Sequence, residues 1–179
     1  MRLSILTCHL KSRRLFLEQL VQCLEPQLTP EVEHLIDDTD GLSIGVKRNS
    51  LLARASGGYV AYVDDDDILS HNYVSLILAA IQTNPDCVGI RGVLQDYGKV
   101  QGVFEHSIRH KDWVTKDGDI KWLRPPNHLN PIRREHALKA GFPDMNCGED
   151  FHYSMAVQPY LKTEIFIEPV IYLYQHHGK

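Results

Sequence analysis

No apolar run in this chain approaches the roughly 20 residues needed to cross a bilayer; stretches such as Val170 to Leu173 are only strand-length. No membrane span is expected. Also missing is a secretory signal: Met1-Arg2 runs straight into Leu3-Ser4-Ile5-Leu6, with neither an extended apolar core nor a small-residue cleavage site, so a cytoplasmic protein is expected. Cysteine is sparse. Cys8, Cys23, Cys87 and Cys147 are scattered with no Cys-x-x-Cys pair, which supports neither a zinc knuckle nor a disulfide framework and points to reduced thiols. An excess of positive charge is absent too: 19 Lys and Arg against 23 Asp and Glu give a net charge of −4, which argues against gripping a polyanion by bulk charge.

Without repeats or low-complexity linkers, 179 residues at 43% apolar content fit one domain with a real core. Leu3 to Thr7 reads as a buried strand, and Ser12 to Leu24 as a helix with Leu15, Phe16, Leu20 and Leu24 at helical spacing, stopped by Pro26. Val32 to Ile36 alternates like a strand and runs into Asp37-Asp38-Thr39-Asp40-Gly41. Ser43 is placed to cap a helix from Ile44 to Ala55, and Tyr59 to Val63 forms the next strand. Ser70 is expected to cap a helix over Tyr73 to Ile81, followed by a short strand from Cys87 to Ile90. Further on, Arg133 to Ala140 and Glu149 to Val157 read as helices, and Thr163 to Ile167 and Val170 to Tyr174 as late strands. Between them, Val93 to Trp122 is irregular, with a strand-like Lys99 to Phe104.

Alternating strands and helices predict an α/β fold with a mostly parallel central sheet flanked by helices, whose ligands sit beyond the carboxyl ends of the strands. Both acidic clusters, Asp37-Asp38 and Asp64 to Asp67, follow strand ends and so fall on one edge. Four successive aspartates repel one another unless protons or a cation intervene, and Mg2+ or Mn2+ takes oxygen ligands from one or two carboxylates plus phosphates. A solvated acidic turn capping the next helix is the plainer alternative. Lys47-Arg48-Asn49 opens a helix after Gly45, where its cations could meet a nucleotide's phosphates or base. Glu149-Asp150 begins another helix, where the dipole favours carboxylates. His176-His177 follow the last apolar strand, available to a metal or to solvent, and Asn127-His128 could line a cleft or form a polar turn.

These blocks occur in an order that resembles family 2 glycosyltransferases over nearly the whole chain. The specific part is Gly45 to Asn49, Ala55-Ser56-Gly57 and Tyr59 to Asp67, similar to the family's G-x-x-R-N … A-x-G-x-Y-(apolar)₃-D-x-D-D segment. The resemblance implies a single GT-A domain, with a nucleotide-sugar-binding half over residues 1–92 and an acceptor-binding half over 93–179. It further implies that Thr7, His9 and one of Asp37 or Asp38 contact a uracil-type base, with Arg48 beside the base or phosphates, flanked by Lys47 and Asn49, and Asp65 near the ribose. Asp66 would ligate the metal, Asp64 would support the metal or the donor sugar, His176 would be a second ligand, and Asp150, next to Glu149, would be the general base. Cys8-His9 stand where the family usually has Tyr-Asn, and the stretch from Asp38 to Gly45 is much shorter than the family norm, so a trimmed or reorganised nucleotide pocket is expected.

The implied activity is inverting transfer from a nucleotide-diphosphate sugar, by default a UDP-sugar, with Mn2+ or Mg2+ as cofactor. A surface glycan or lipid-linked sugar is the leading acceptor, and a modified nucleobase in DNA the alternative. Two rivals stand beside it: a metal-dependent phosphohydrolase using the aspartates as its ion site, and a non-catalytic sugar- or nucleotide-binding module. The haloacid-dehalogenase form of the first wants its aspartates on the first strand, whereas here they follow the third.

Overall fold

A computed structural model describes residues 2–176, so His177 lies outside the described residues. Strand β1 (Leu3–Cys8) leads through a 3-10 turn into helix α1 (Arg14–Leu24), strand β2 (Val32–Asp37) and helix α2 (Ile44–Arg54). Strands β3 (Tyr59–Tyr62) and β4 (Ile68–Leu69) precede helix α3 (Tyr73–Ala80) and the long strand β5 (Cys87–Asp96). Then come β6 (Lys99–His106), β7 (Val114–Thr115), β8 (Ile120–Arg124) and β9 (Ile132–Arg133), helices α4 (Arg134–Ala140) and α5 (Glu149–Val157), and strand β10 (Glu164–His176).

One sheet runs β2-β1-β3-β9-β5-β6-β8-β7, with β10 alongside β5 and β4. Strand β1 is parallel to both β2 and β3, so the carboxyl ends of all three share an edge, as the alternating pattern predicts. Beyond them β9 and β6 join antiparallel, while β10 lies parallel to β5. The same sheet crosses residue 92 within β5.

Period-2 alternation sends the apolar residues of β1 to opposite faces. Leu3 and Ile5 join Leu20, Tyr73, Ile77 and Ile90 under α1 and α3, and Leu6 joins Leu51, Tyr62, Ala137 and Tyr153 under α2, α4 and α5. Ser43 caps α2 as its position suggests, accepting a hydrogen bond from the Val46 N–H at 3.2 Å.

Three local expectations are corrected. Helix α1 starts at Arg14 rather than Ser12, because Lys11–Arg13 close into a 3-10 turn, and Leu15 ends up on the outer face at 74% exposure instead of in the core. Ser70 does not cap α3: its hydroxyl donates to Asn72 Oδ1, and the Asn72 side chain makes no cap bond either. The two late strands are one, β10, with register shifts on both sides of Val170, next to Pro169, which has no N–H to give a ladder.

Candidate active site

The shared edge opens into a cavity of about 740 Å³. Its wall carries five carboxylates: Asp64, Asp65 and Asp66 from the loop after β3, and Glu149 and Asp150 from the first turn of α5. Four of the five are engaged. Arg48, only 2% exposed, projects from α2 and binds Asp64 Oδ1 through Nη2 at 3.0 Å and Glu149 Oε1 through Nη1 at 2.7 Å. Burial alone would raise the Asp64 carboxyl, but the Arg48 charge and neighbouring His128 hold it well below the ordinary carboxylate range. Asp65 is fully enclosed, 2.8 Å from His9 Nδ1 and 3.0 Å from Arg13 Nη2, and Arg13 also bridges to Asp66. Burial pushes the Asp66 carboxyl upward, and although Arg13 opposes this, the Asp64 and Asp65 charges add to it.

Asp150 differs. Its half-buried side chain faces the cavity with no hydrogen bond or ion pair to any described residue. The loop before it is fixed from below by Gly45. A Cβ there would stand 1.8 Å from the Pro143 carbonyl oxygen, and the Gly45 N–H donates to Met145 O, so only glycine lets α2 approach this closely. That accounts for the glycine of the Gly45 to Asn49 block.

The last aspartate of the tetrad turns inward. Asp67 accepts hydrogen bonds from Tyr172 Oη at 2.6 Å and the Gln175 N–H at 2.8 Å, while Gln175 Nε2 donates to the Asp66 carbonyl. Strand β10 therefore buttresses the acidic loop, and burial together with the Asp64 charge raises the Asp67 carboxyl well above its usual value.

Of the residues expected at a nucleotide, Asp64, Asp65 and Arg48 line this cavity, and six do not. Thr7 lies on the opposite face of β1, hydrogen-bonded to His34 at 3.0 Å, because alternation pairs it with Leu3 and Ile5. Asp37 is tied down by the Thr39 N–H and Arg54, and Asp38 is exposed. Lys47 is buried, donating through Nζ to the His9 carbonyl at 2.8 Å. Asn49 braces the 141–142 turn, exchanging hydrogen bonds with Phe142 O and N–H. His9 acts through Asp65 from behind the wall. Arg48 has both terminal nitrogens taken by carboxylates and its Nε buried without a partner, which makes it a floor for the acidic site. His176 reaches the wall, its Nδ1 held by Asp96 at 2.7 Å. No three His, Cys, Asp or Glu side chains among the described residues form a ready metal cage.

Asn127 and His128 line the cavity, one of the two readings open to them, with His128 Nε2 3.6 Å from Asp64 Oδ2; sequence reasoning missed Arg13 and the opposite end of the cavity, where Phe104, His106, Trp113, Trp122 and Arg124 gather. Two tryptophans within a polar, glycine-containing stretch were the available signal.

A model of glycosyl transferase family 2 matches residues 17–146, stopping just short of Glu149-Asp150. Among solved structures the chain resembles S. aureus TarS residues 1–349, at 16% identity and a TM-score of 0.73 over 98% of this chain and 60% of that one. The same protein in complex with UDP-GlcNAc gives 15% identity and a TM-score of 0.74 over 100% and 60%, and in complex with UDP 16% and 0.74 over 98% and 61%. The chain thus spans about 60% of the length of those structures, and at such identity the likeness is one of fold. Among curated proteins no sequence match is found. With the family's model covering most of its length and the GT-A architecture carrying both acidic groups to one edge, the chain belongs to glycosyl transferase family 2.

Proposed function

We propose that this protein transfers a sugar from a UDP-type nucleotide sugar to an acceptor hydroxyl with inversion, using a divalent cation. The observation that carries the reading is the contrast among the cavity's carboxylates: four are held by cations or imidazole, and Asp150 alone is uncommitted. A general base needs a free oxygen facing the substrate, and Asp150 has one. The TarS relatives of the same fold were solved with UDP and with UDP-GlcNAc, which supports the donor class.

The residues fit Mn2+ or Mg2+. Asp64 and Asp66 offer hard carboxylate oxygens, Asp66 is crowded by like charge, and the Arg13 guanidinium already satisfies this spot as a cation. A set with so few protein ligands suits an ion that takes the rest of its shell from diphosphate and water. Asp66 and Asp64 would hold it, with His176 on the same wall, and it would neutralise charge on the departing nucleoside diphosphate.

Asp150 takes the acceptor hydroxyl's proton as that oxygen attacks the anomeric carbon from the side opposite the diphosphate. The bond to the diphosphate oxygen breaks, its electron pair leaves with the nucleotide, and configuration inverts. Arg48 keeps Asp64 ionised and holds both Asp64 and Glu149 in place throughout. The acceptor hydroxyl is assigned to a glycan or lipid-linked sugar. A cytoplasmic setting, where nucleotide sugars are at hand, belongs to the same proposal.

Thermal stability with UDP and a panel of UDP-sugars, each with and without Mn2+, tests it, since a ligand that binds only the folded state raises Tm. A manganese-dependent rise with one uridine nucleotide is expected, and Asp66→Ala should abolish the manganese dependence. No shift with any nucleotide would transfer the weight to a binding module, and free phosphate without sugar transfer would mark a phosphohydrolase.

A further inference from the structure

The end of the cavity away from the aspartates has a chemistry of its own. Strands β6 and β8 run side by side in a register that pairs Phe104 with Trp122 and His106 with Arg124, so the four side chains form a two-by-two patch. All four line the cavity. Opposite Phe104 stands Gly92, where a Cβ would come within 2.1 Å of the ring, so the phenyl lies flat across β5 and makes an apolar floor with Trp122. Trp113 closes the side, 5.5 Å from the ring of Phe151, the residue that follows Asp150.

The polar groups here are placed but not used. His106, 5% exposed, has no hydrogen-bond partner at Nδ1, and His128, equally buried, has none at Nδ1, while its Nε2 stands 3.6 Å from Asp64 Oδ2 at the border with the acidic end. Trp113 Nε1 is buried and unpartnered as well. Arg124 lies over the Trp113 ring at 5.0 Å and is bonded only to the Val114 and Leu123 carbonyls and Thr115 Oγ1. No carboxylate neutralises it among the described residues, whereas Arg48 and Arg13 at the other end hold two carboxylates each.

We infer that this patch is the acceptor subsite and that it takes a sugar ring carrying an anionic substituent, carboxylate or phosphate. The inference rests on the transferase reading above. An aromatic floor with a negative face attracts the C–H face of a pyranose. Buried, unsatisfied imidazole and indole nitrogens are costly unless a ligand's hydroxyls meet them. A guanidinium held on an aromatic ring with N–H groups to spare is the group that grips a carboxylate or phosphate in two places. The Trp113–Phe151 contact sets this ring beside Asp150, where a hydroxyl must lose its proton.

The chain's only two tryptophans both lie here, so intrinsic fluorescence reports this subsite directly. Titrations with methyl glucuronide and with glucose 6-phosphate, against methyl glucoside, inorganic phosphate and thymidine, in the presence of UDP and Mn2+, test the assignment. At least one anionic sugar should quench at concentrations about tenfold lower than the neutral glycoside, and the preferred one tells carboxylate from phosphate. Arg124→Gln should erase that preference while leaving neutral binding in place, and Trp122→Leu should weaken both. Because Arg124 also pins β7, Arg124→Lys is made in parallel; it keeps the charge and should retain part of the preference. Equal binding of neutral and anionic glycosides, inorganic phosphate alone as good as the sugars, or thymidine tighter than either would overturn the inference. A UDP shift in Tm alongside any of these would leave the donor reading standing, whereas loss of the UDP shift would remove that reading first.

Discussion

The two ends of the cavity solve opposite problems. At the aspartate end, charge is dense and nearly every group already has a partner inside the protein: Arg48 with Asp64 and Glu149, His9 and Arg13 with Asp65, Arg13 with Asp66. At the aromatic end, charge is thin, and the buried His106 Nδ1 and Trp113 Nε1 have no hydrogen-bond partner among the described residues. Groups satisfied in advance cost no reorganisation when a charged donor arrives, which is the condition for electrostatic stabilisation. Groups left unsatisfied discriminate, because only a ligand that completes them recovers the penalty. Asp150 stands at the seam between the two.

The sharpest way to break this contrast is at the seam. Asp150→Asn should lower turnover by about 10² to 10⁴-fold while the UDP-induced rise in Tm is unchanged; normal turnover would remove Asp150 from its role. Next is the aspartate end itself. Arg48→Met leaves the buried Glu149 and the part-buried Asp64 without their cation and should cost about 3–5 kcal/mol in urea unfolding, far more than an average substitution. A smaller effect is expected behind the wall, where Tyr172→Phe deprives the buried Asp67 of a hydrogen bond, for a loss of about 1–3 kcal/mol with the same denaturant slope.

Smallest per unit is the response to pH. Burial lowers His34, behind β1, to about 4. It also lowers His106, at the aromatic end, to about 3, with the His128 and Arg124 charges helping. Both folded values lie below the unfolded value near 6.5, so the unfolded chain binds more protons between them. Stability is full above about pH 6.5 and falls on acidification, by about 1.4 kcal/mol per pH unit for each histidine, until the folded values are reached. Urea titrations from pH 7 to 4.5 check this; His34→Gln should take away about half of the slope, and an unchanged slope would place the sensitivity elsewhere.

How much of this could be read from the chain divides along the same line. The aspartate end was legible because Val32 to Asp37 and Tyr59 to Val63 are short apolar strands that stop in carboxylates, and parallel pairing carries strand ends to one edge. Which face a side chain takes was less legible: Thr7 and Asn49 sit at the right positions along their elements and point at His34 and Phe142 instead. The aromatic end was not legible. It needs β6 and β8 to pair in parallel across a 13-residue connection, and no local periodicity announces that pairing. Arg13 escapes for a related reason, since helical spacing from Ser12 onward does not distinguish its 3-10 turn from the first turn of α1.

The inward turn of Asp67 also carries a message about time. A ribosome releases Asp67 more than a hundred residues before Tyr172 and Gln175, the two partners that satisfy it. Until β10 docks, the loop bearing Asp64 to Asp66 lacks the Tyr172 and Gln175 hydrogen bonds, so this edge of the sheet is finished only when a strand far along the chain has joined it.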